Sequence, residues 1–321
     1  MTDVTPILQV REVYSHASCP DGTAAAMIVA RALADMPERP EIRFVQYGTK
    51  EYETLVPGPG HLFVDITPPT SRWEEWIPFR PIVLDHHETA KSCIEGLGGV
   101  YGGLELSGGG LAMKHVMAPL IEVGAASMDP DEARGWERLA RLASIRDTWK
   151  DELPEWREAC ALAHTMGFVG SKKLVEDSFN KEVDFQSLDK LGSFILPALE
   201  RKVKLIAESS LIRTAGPPDS PVRIGYFNCT DKSISDVAHY MMEEMGCDMA
   251  VGYFMLFQDG SPRFSVSLRS RKGGVDSSII AKKLGGGGHK PAAGFRHPDG
   301  LRGCLLDIAL TVEGLLEEAM Q

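Results

Sequence analysis

Apolar runs that stop abruptly at acidic or histidine clusters constrain this chain more than any other feature. Pro81-Ile82-Val83-Leu84 leads into Asp85-His86-His87, and residues 61–64 lead into Asp65. Residues 10–15 lead into His16-Ala17-Ser18-Cys19-Pro20-Asp21-Gly22, and a later helical stretch carries Arg146-Asp147. Short apolar runs bounded by turn signals read as buried strands. Strands alternating with helices imply an α/β fold, with a mostly parallel sheet covered by helices on both faces. In such a sheet, residues just past the strand ends share one crevice. The four clusters are therefore expected to converge.

The pattern predicts strands over 10–15, 42–47, 61–66 and 81–84. It predicts helices over 24–36, 105–122 (with a glycine-rich entry at 107–110) and 130–150. Residues 187–212 read as one long helix, or as two broken near Pro197. The proline cluster 216–221 marks a boundary. After it the pattern restarts, with strands at 222–227, 249–257 and 263–270 and helices at 234–245, 276–284 and 304–320. Asp259-Gly260 is a hairpin signal. The expected organisation is an N-terminal catalytic domain over 1–185, a helical linker over 186–215, and a smaller α/β domain with a mixed sheet over 216–321. A length of 321 residues is ample for two cores.

No apolar run has the length of a membrane span, and the first residues lack a signal-peptide pattern. The six cysteines include no C-x-x-C pair. Reduced thiols and a cytoplasmic location, with no membrane partner, are the expectation. A net charge of −11 argues against broad electrostatic binding of nucleic acid. Charge is nevertheless uneven: residues 263–296 hold eight Lys and Arg against one acid, Asp276. Such an island can be a solvated face or a local phosphate site.

Carboxylates and imidazoles are ligands for hard and borderline divalent ions. Two such ions can neutralise a phosphate ester, acidify a water and stabilise a leaving oxygen. A bridging carboxylate is needed to hold them together. Asp65 and Asp147 are candidates, with His16, Asp21 and His86 filling the remaining positions. Mixed nitrogen and oxygen ligands suit Mn2+ or Mg2+ better than a closed zinc site.

The set H-x(4)-D-G, V-D, D-H-H and a late Asp resembles the DHH phosphoesterase superfamily. That superfamily includes RecJ-like exonucleases, family II pyrophosphatases, exopolyphosphatases and the nanoRNase/pAp phosphatases. The string from Gly285 to Phe295, G-G-G-G-H-K-P-A-A-G-F, resembles the glycine-histidine motif of the DHH-associated substrate-binding domain. It lies about 200 residues after D-H-H, so the likeness spans nearly the whole chain. The resemblance implies His16, Asp21, Asp65, His86 and Asp147 as metal ligands and His87 as the phosphate contact. Asp85 is either a ligand or an orienting residue. One departure stands out, because the first motif usually supplies two acids and only Asp21 is present. Either Thr23 or Cys19 occupies the other place. A thiolate at Cys19 can ligate a metal, favouring softer ions, or Cys19 is a small buried neighbour.

In the second half, Gly286, Gly287 and Gly288 let backbone amides approach an anion. His289 can donate to a phosphate, and Arg269 stands where the family keeps a substrate-binding arginine. Ser107-Gly108 resembles a small-residue turn that meets phosphate or sugar, or is simply a helix N-cap. Tyr253, Phe254 and Phe264 can stack on bases or fill the core. A cleft between two such domains measures substrate length. The expectation is therefore a Mn2+-dependent phosphoesterase, with two ions, that acts on short single-stranded RNA or DNA oligonucleotides or on pAp-type nucleotides. The alternatives are a cyclic dinucleotide phosphodiesterase, an exopolyphosphatase or pyrophosphatase, and a catalytically degraded nucleotide sensor. The resemblance also leaves a homodimer open.

Overall fold

The computed structural model describes residues 3–230, 233–258, 261–297 and 305–320. The chain divides into two compact units between Leu196 and Pro197. This point lies inside the helix Phe185–Glu208, which runs unbroken through Pro197.

The first unit is built on a five-stranded parallel sheet of order β2-β1-β3-β4-β5. Its strands are β1 (Glu12–His16), β2 (Glu41–Val45), β3 (His61–Val64), β4 (Ile82–Asp85) and β5 (Val100–Tyr101). The apolar runs read from the sequence occupy the centre, where both faces are covered and every residue must be apolar. Val13, Leu62, Val64 and Leu84 face one core, shared with the helices Pro20–Ala32 and Pro130–Asp147. Tyr14, Val45, Phe63 and Val83 face the other, which is sealed by Tyr52, Trp76 and Ile94. The strand order reverses direction between β1 and β3. In open parallel sheets that switch point leaves a crevice at the carboxyl ends of the strands. His16 ends β1, Asp65 follows β3, and Asp85 ends β4.

The second unit is a six-stranded mixed sheet, β10-β11-β9-β8-β7-β6. Its strands are β6 (Leu211–Ala215), β7 (Val222–Asn228), β8 (Met249–Gln258), β9 (Ser261–Ser270), β10 (Gly287–His289) and β11 (Ala292–His297). Only β7 and β8 pair in parallel. β8 and β9 form the expected hairpin, although Asp259 and Gly260 themselves lie outside the described residues. Tyr253 and Phe264 pack against a core of Ile224, Val251, Leu268 and Phe295.

Several elements differ from the sequence reading. The helix expected at 24–36 is Pro20–Ala32, because Pro20 takes the first helical position, where its missing N–H costs nothing. Residues 108–122 are helical as expected but contain a π-helical turn, Met113–Met117. The helices Trp156–Val169 and Ser171–Asn180 had no counterpart in the reading. Ile212 belongs to β6 rather than to the long helix. The glycine run is no loose loop, since Gly287 and Gly288 pair with Gly294 and Ala293.

Candidate functional site

At the carboxyl ends of β1, β3 and β4, three groups of ligand-type side chains meet. They are His16 with Cys19 and Asp65; Asp21 with His86 and Asp147; and Asp65 with Asp85, His86 and His87. Within each group the ligand atoms lie within 4.8 Å of one another. Asp65 belongs to two of them. Its Oδ2 lies 3.5 Å from His16 Nδ1, and its Oδ1 lies 3.3 Å from His86 Nε2. His86 Nε2 is also 3.0 Å from Asp147 Oδ2. None of these approaches is aligned as a hydrogen bond. His16 Nδ1, Asp21 Oδ2, both Asp65 oxygens and His86 Nε2 are all buried without a hydrogen-bond partner. Buried polar atoms are nearly always paired. Five orphans aimed into one space fit a shared cation.

The electrostatics agree. Burial, then the charges of Asp65 and Asp147, push the Asp21 carboxyl well above its usual range. Burial acts the same way on Asp65, but the adjoining His16 and His86 outweigh it and hold Asp65 well below that range. Burial would lower His86, yet Asp147 and Asp65 push it up to about 12. Two buried carboxylates, Asp21 and Asp65, repel each other and the partly exposed Asp147, and a divalent ion relieves that repulsion.

The fold fixes Asp21 from behind. Asp21 Oδ1 accepts from the Ser107 hydroxyl at 2.5 Å and from the Gly109 amide at 3.0 Å. Ser107 is itself tied to Ser144 Oγ at 2.8 Å. Ser107 is fully buried, makes no capping hydrogen bond, and directs its hydroxyl to the Asp21 carboxylate. Gly108 makes room, because a Cβ there would stand 2.4 Å from Asp65 Cβ. Asp65 has a left-handed φ of 59°, a conformation that Asp tolerates better than most residues.

Asp85 is fully buried, and its Oδ1 accepts from the amides of His86 (2.7 Å) and His87 (3.3 Å). The same oxygen lies 2.7 Å from His87 Nδ1. These contacts are those of an orienting residue. Burial would lower the His87 imidazole, but Asp85 pushes it up to about 9.

Cys19 stands inside the cluster, with Sγ 3.9 Å from Asp147 Oδ1. Burial and the surrounding carboxylates push its thiol well up. Thr23 points elsewhere, donating to the Cys19 carbonyl and meeting Ser171 Oγ at 2.7 Å. Of the two residues, Cys19 is the one whose side chain reaches the ligand cluster. Tyr47, outside every motif read from the sequence, also borders the cluster, and its hydroxyl lies 3.3 Å from Asp85 Oδ2.

In the second unit, Arg269, Ala292 and His289 are in register across β9, β11 and β10. Residues opposite one another on neighbouring strands share a face. Arg269 and His289 therefore flank Ala292, whose methyl leaves a gap between them. Arg269 donates to Ser267 Oγ (2.9 Å) and Ser235 Oγ (3.1 Å). The Gly286 amide donates to the Ala281 carbonyl at 2.8 Å. Gly287 is exposed, and a Cβ there would meet nothing within 4 Å.

Residues 219–318 match the DHHA1 domain. No curated protein sequence matches the chain. Among solved structures, it is similar to the pGpG-specific phosphodiesterase PggH of Vibrio cholerae, with 14% identity over 94% of this chain and 97% of that one and a TM-score of 0.50. It is similar to the exonuclease RecJ bound to manganese, with 17% identity, 95% and 89% coverage and a TM-score of 0.54. An exopolyphosphatase-related protein of Bacteroides fragilis gives 10% identity, 95% and 92% coverage and a TM-score of 0.52. At such identities the likeness is one of fold. Among the described residues, no helix is long and apolar enough to cross a membrane.

Proposed function

We propose that this chain, which has the DHH phosphoesterase fold and matches the DHHA1 domain over residues 219–318, is a metal-dependent phosphoesterase acting on very short oligonucleotides or pAp-type small nucleotides. One observation carries this reading: the two oxygens of Asp65 face different histidines, each within its own group of ligand atoms. His16, Cys19 and Asp65 would hold one ion; Asp65, Asp21, His86 and Asp147 would hold the other. Divalent ions there would neutralise the phosphate and make a water more acidic. Mn2+ is the expected ion and Mg2+ the alternative, with Cys19 softening its own ligand group.

The chain's own residues do the rest. His87, held through Nδ1 by Asp85, offers the far edge of its ring to a phosphate oxygen. Ser107 and Gly109 keep Asp21 from rotating. Arg269 and His289, with the open backbone at Gly287, bind a second phosphate or a terminal ribose phosphate.

The test is incubation of the purified protein with labelled pGpG, pApA and pAp across titrations of Mn2+ and Mg2+, alongside pyrophosphate and polyphosphate. Mononucleotide release is expected. Cleavage of the inorganic substrates alone would reassign the activity, and no product from any of them would end the reading. The presence of Cys19 where an acid is usual favours one rival, a nucleotide sensor without turnover. A count of bound metal per chain separates the two, since the phosphoesterase reading requires two ions.

A further inference from the structure

Tyr47 follows β2 and belongs to none of the clusters that end the other strands. Its surroundings give it a role in the site. The Tyr47 ring stands edge-on to His16, with centroids 5.4 Å apart and planes at 71°, and edge-on to His87 at 5.9 Å and 72°. Its hydroxyl lies 3.3 Å from Asp85 Oδ2, a long hydrogen bond. From behind, Tyr52 packs against it at 5.2 Å, and the Tyr52 hydroxyl is anchored to the Pro68 carbonyl at 3.0 Å. Tyr47 is thus braced in one rotamer by a buried neighbour.

The contacts on Asp85 divide unequally between its oxygens. Oδ1 takes the amides of His86 and His87 and faces His87 Nδ1, whereas Oδ2 receives the Tyr47 hydroxyl. A carboxylate held at one oxygen can turn about its Cβ–Cγ bond. A donor on the other oxygen fixes the plane. That plane sets the direction of the Asp85–His87 contact, and so the direction in which the far edge of the His87 ring is aimed.

We propose that Tyr47 is a positioning residue: acting through Asp85, it sets the ring plane of His87, and its own ring limits the space beside His16 in which a phosphate can sit. The kinetic arm rests on the phosphoesterase reading; the spectroscopic arm does not.

Tyr47→Phe keeps the ring and removes the hydroxyl. It is expected to lower kcat about fivefold, the scale of one ordinary hydrogen bond, as suits a long one. Tyr47→Leu is expected to lower it about a hundredfold, the scale of a misplaced catalytic group. In a His87→Asn background, Tyr47→Phe should cost nothing further, because the two act as one unit. Additive losses would overturn the proposal. In protein carrying 15N-labelled histidine, Tyr47→Phe should shift the His87 ring resonances and leave those of His115 and His239 in place. An unchanged His87 signal in a variant that unfolds at the wild-type temperature would also overturn it. If the wild type turns over no substrate, the phosphoesterase reading fails and the resonance shift alone decides the role of Tyr47.

Discussion

Gly108 and Gly287 both stand in glycine runs beside charged side chains, and their surroundings are opposite. A Cβ at Gly108 would press on Asp65 Cβ at 2.4 Å and on Asp21 Oδ2 at 2.9 Å, whereas a Cβ at Gly287 would meet open space. The first glycine belongs to a site made by burying acids so closely that every volume counts. The second belongs to an exposed hairpin that carries His289, in register with Arg269 through Ala292. On the proposed reading, a site for cations is built under compression and a site for anions is left open. The difference follows from the chemistry. Small ions need ligand atoms nearly touching, while a phosphate needs room.

This contrast can be broken. The largest effect is expected at the compressed site itself: Asp65→Ala or Asp147→Ala should lower kcat about a thousandfold, on the order of ~4 kcal/mol of lost stabilisation of the reacting state. Both variants should bind less metal in calorimetry while retaining the wild-type circular dichroism spectrum. A wild-type rate in Asp147→Ala would remove that residue from the site. Next, Gly108→Ala should reduce activity about a hundredfold and destabilise the protein by about 1–3 kcal/mol, the usual cost of overpacking. Denaturant unfolding and metal titration measure the two parts. If Gly108→Ala is silent, compression is not how this site works.

On the open side, Arg269→Ala should raise KM about tenfold to a hundredfold with a smaller change in kcat, since a charged hydrogen-bonding group is lost without disturbing the acids. The smallest effect is expected at Gly287→Ala, with stability within about 0.5 kcal/mol and activity within about twofold of wild type. A large loss there would show that the amide backbone at 287 approaches the substrate more closely than any side chain allows.

The same contrast explains how much could be read beforehand. Leu62-Phe63-Val64 and Ile82-Val83-Leu84 declared themselves because a parallel strand buried on both faces has no polar position to hide it. The acids after them were visible because acids rarely follow such runs by chance. Pro20-Asp21-Gly22 reads as a turn locally, and only the packed helix reveals Pro20 as its first residue. β6 was lost because Leu211-Ile212 continues the apolar pattern of the preceding helix. β10 was lost because a glycine run carries no strand propensity, and it is held by pairing with β11, which in turn pairs with β9 through tertiary context. Ser107 and Tyr47 share one further lesson. They reach Asp21 and Asp85 across 86 and 38 residues of chain, so the local turn that singled out Ser107 could not name its partner and nothing local singled out Tyr47.

The backbone of Asp65 has a last consequence. Its φ of 59° places it where glycine, asparagine and aspartate are at ease and longer side chains are not. Position 65 is therefore filtered twice, once by the need for two oxygens and once by main-chain geometry. Glutamate passes the first filter and is disfavoured by the second; asparagine passes the second and fails the first. Drift at this residue has almost nowhere to go, and a laboratory library at position 65 should return the starting residue.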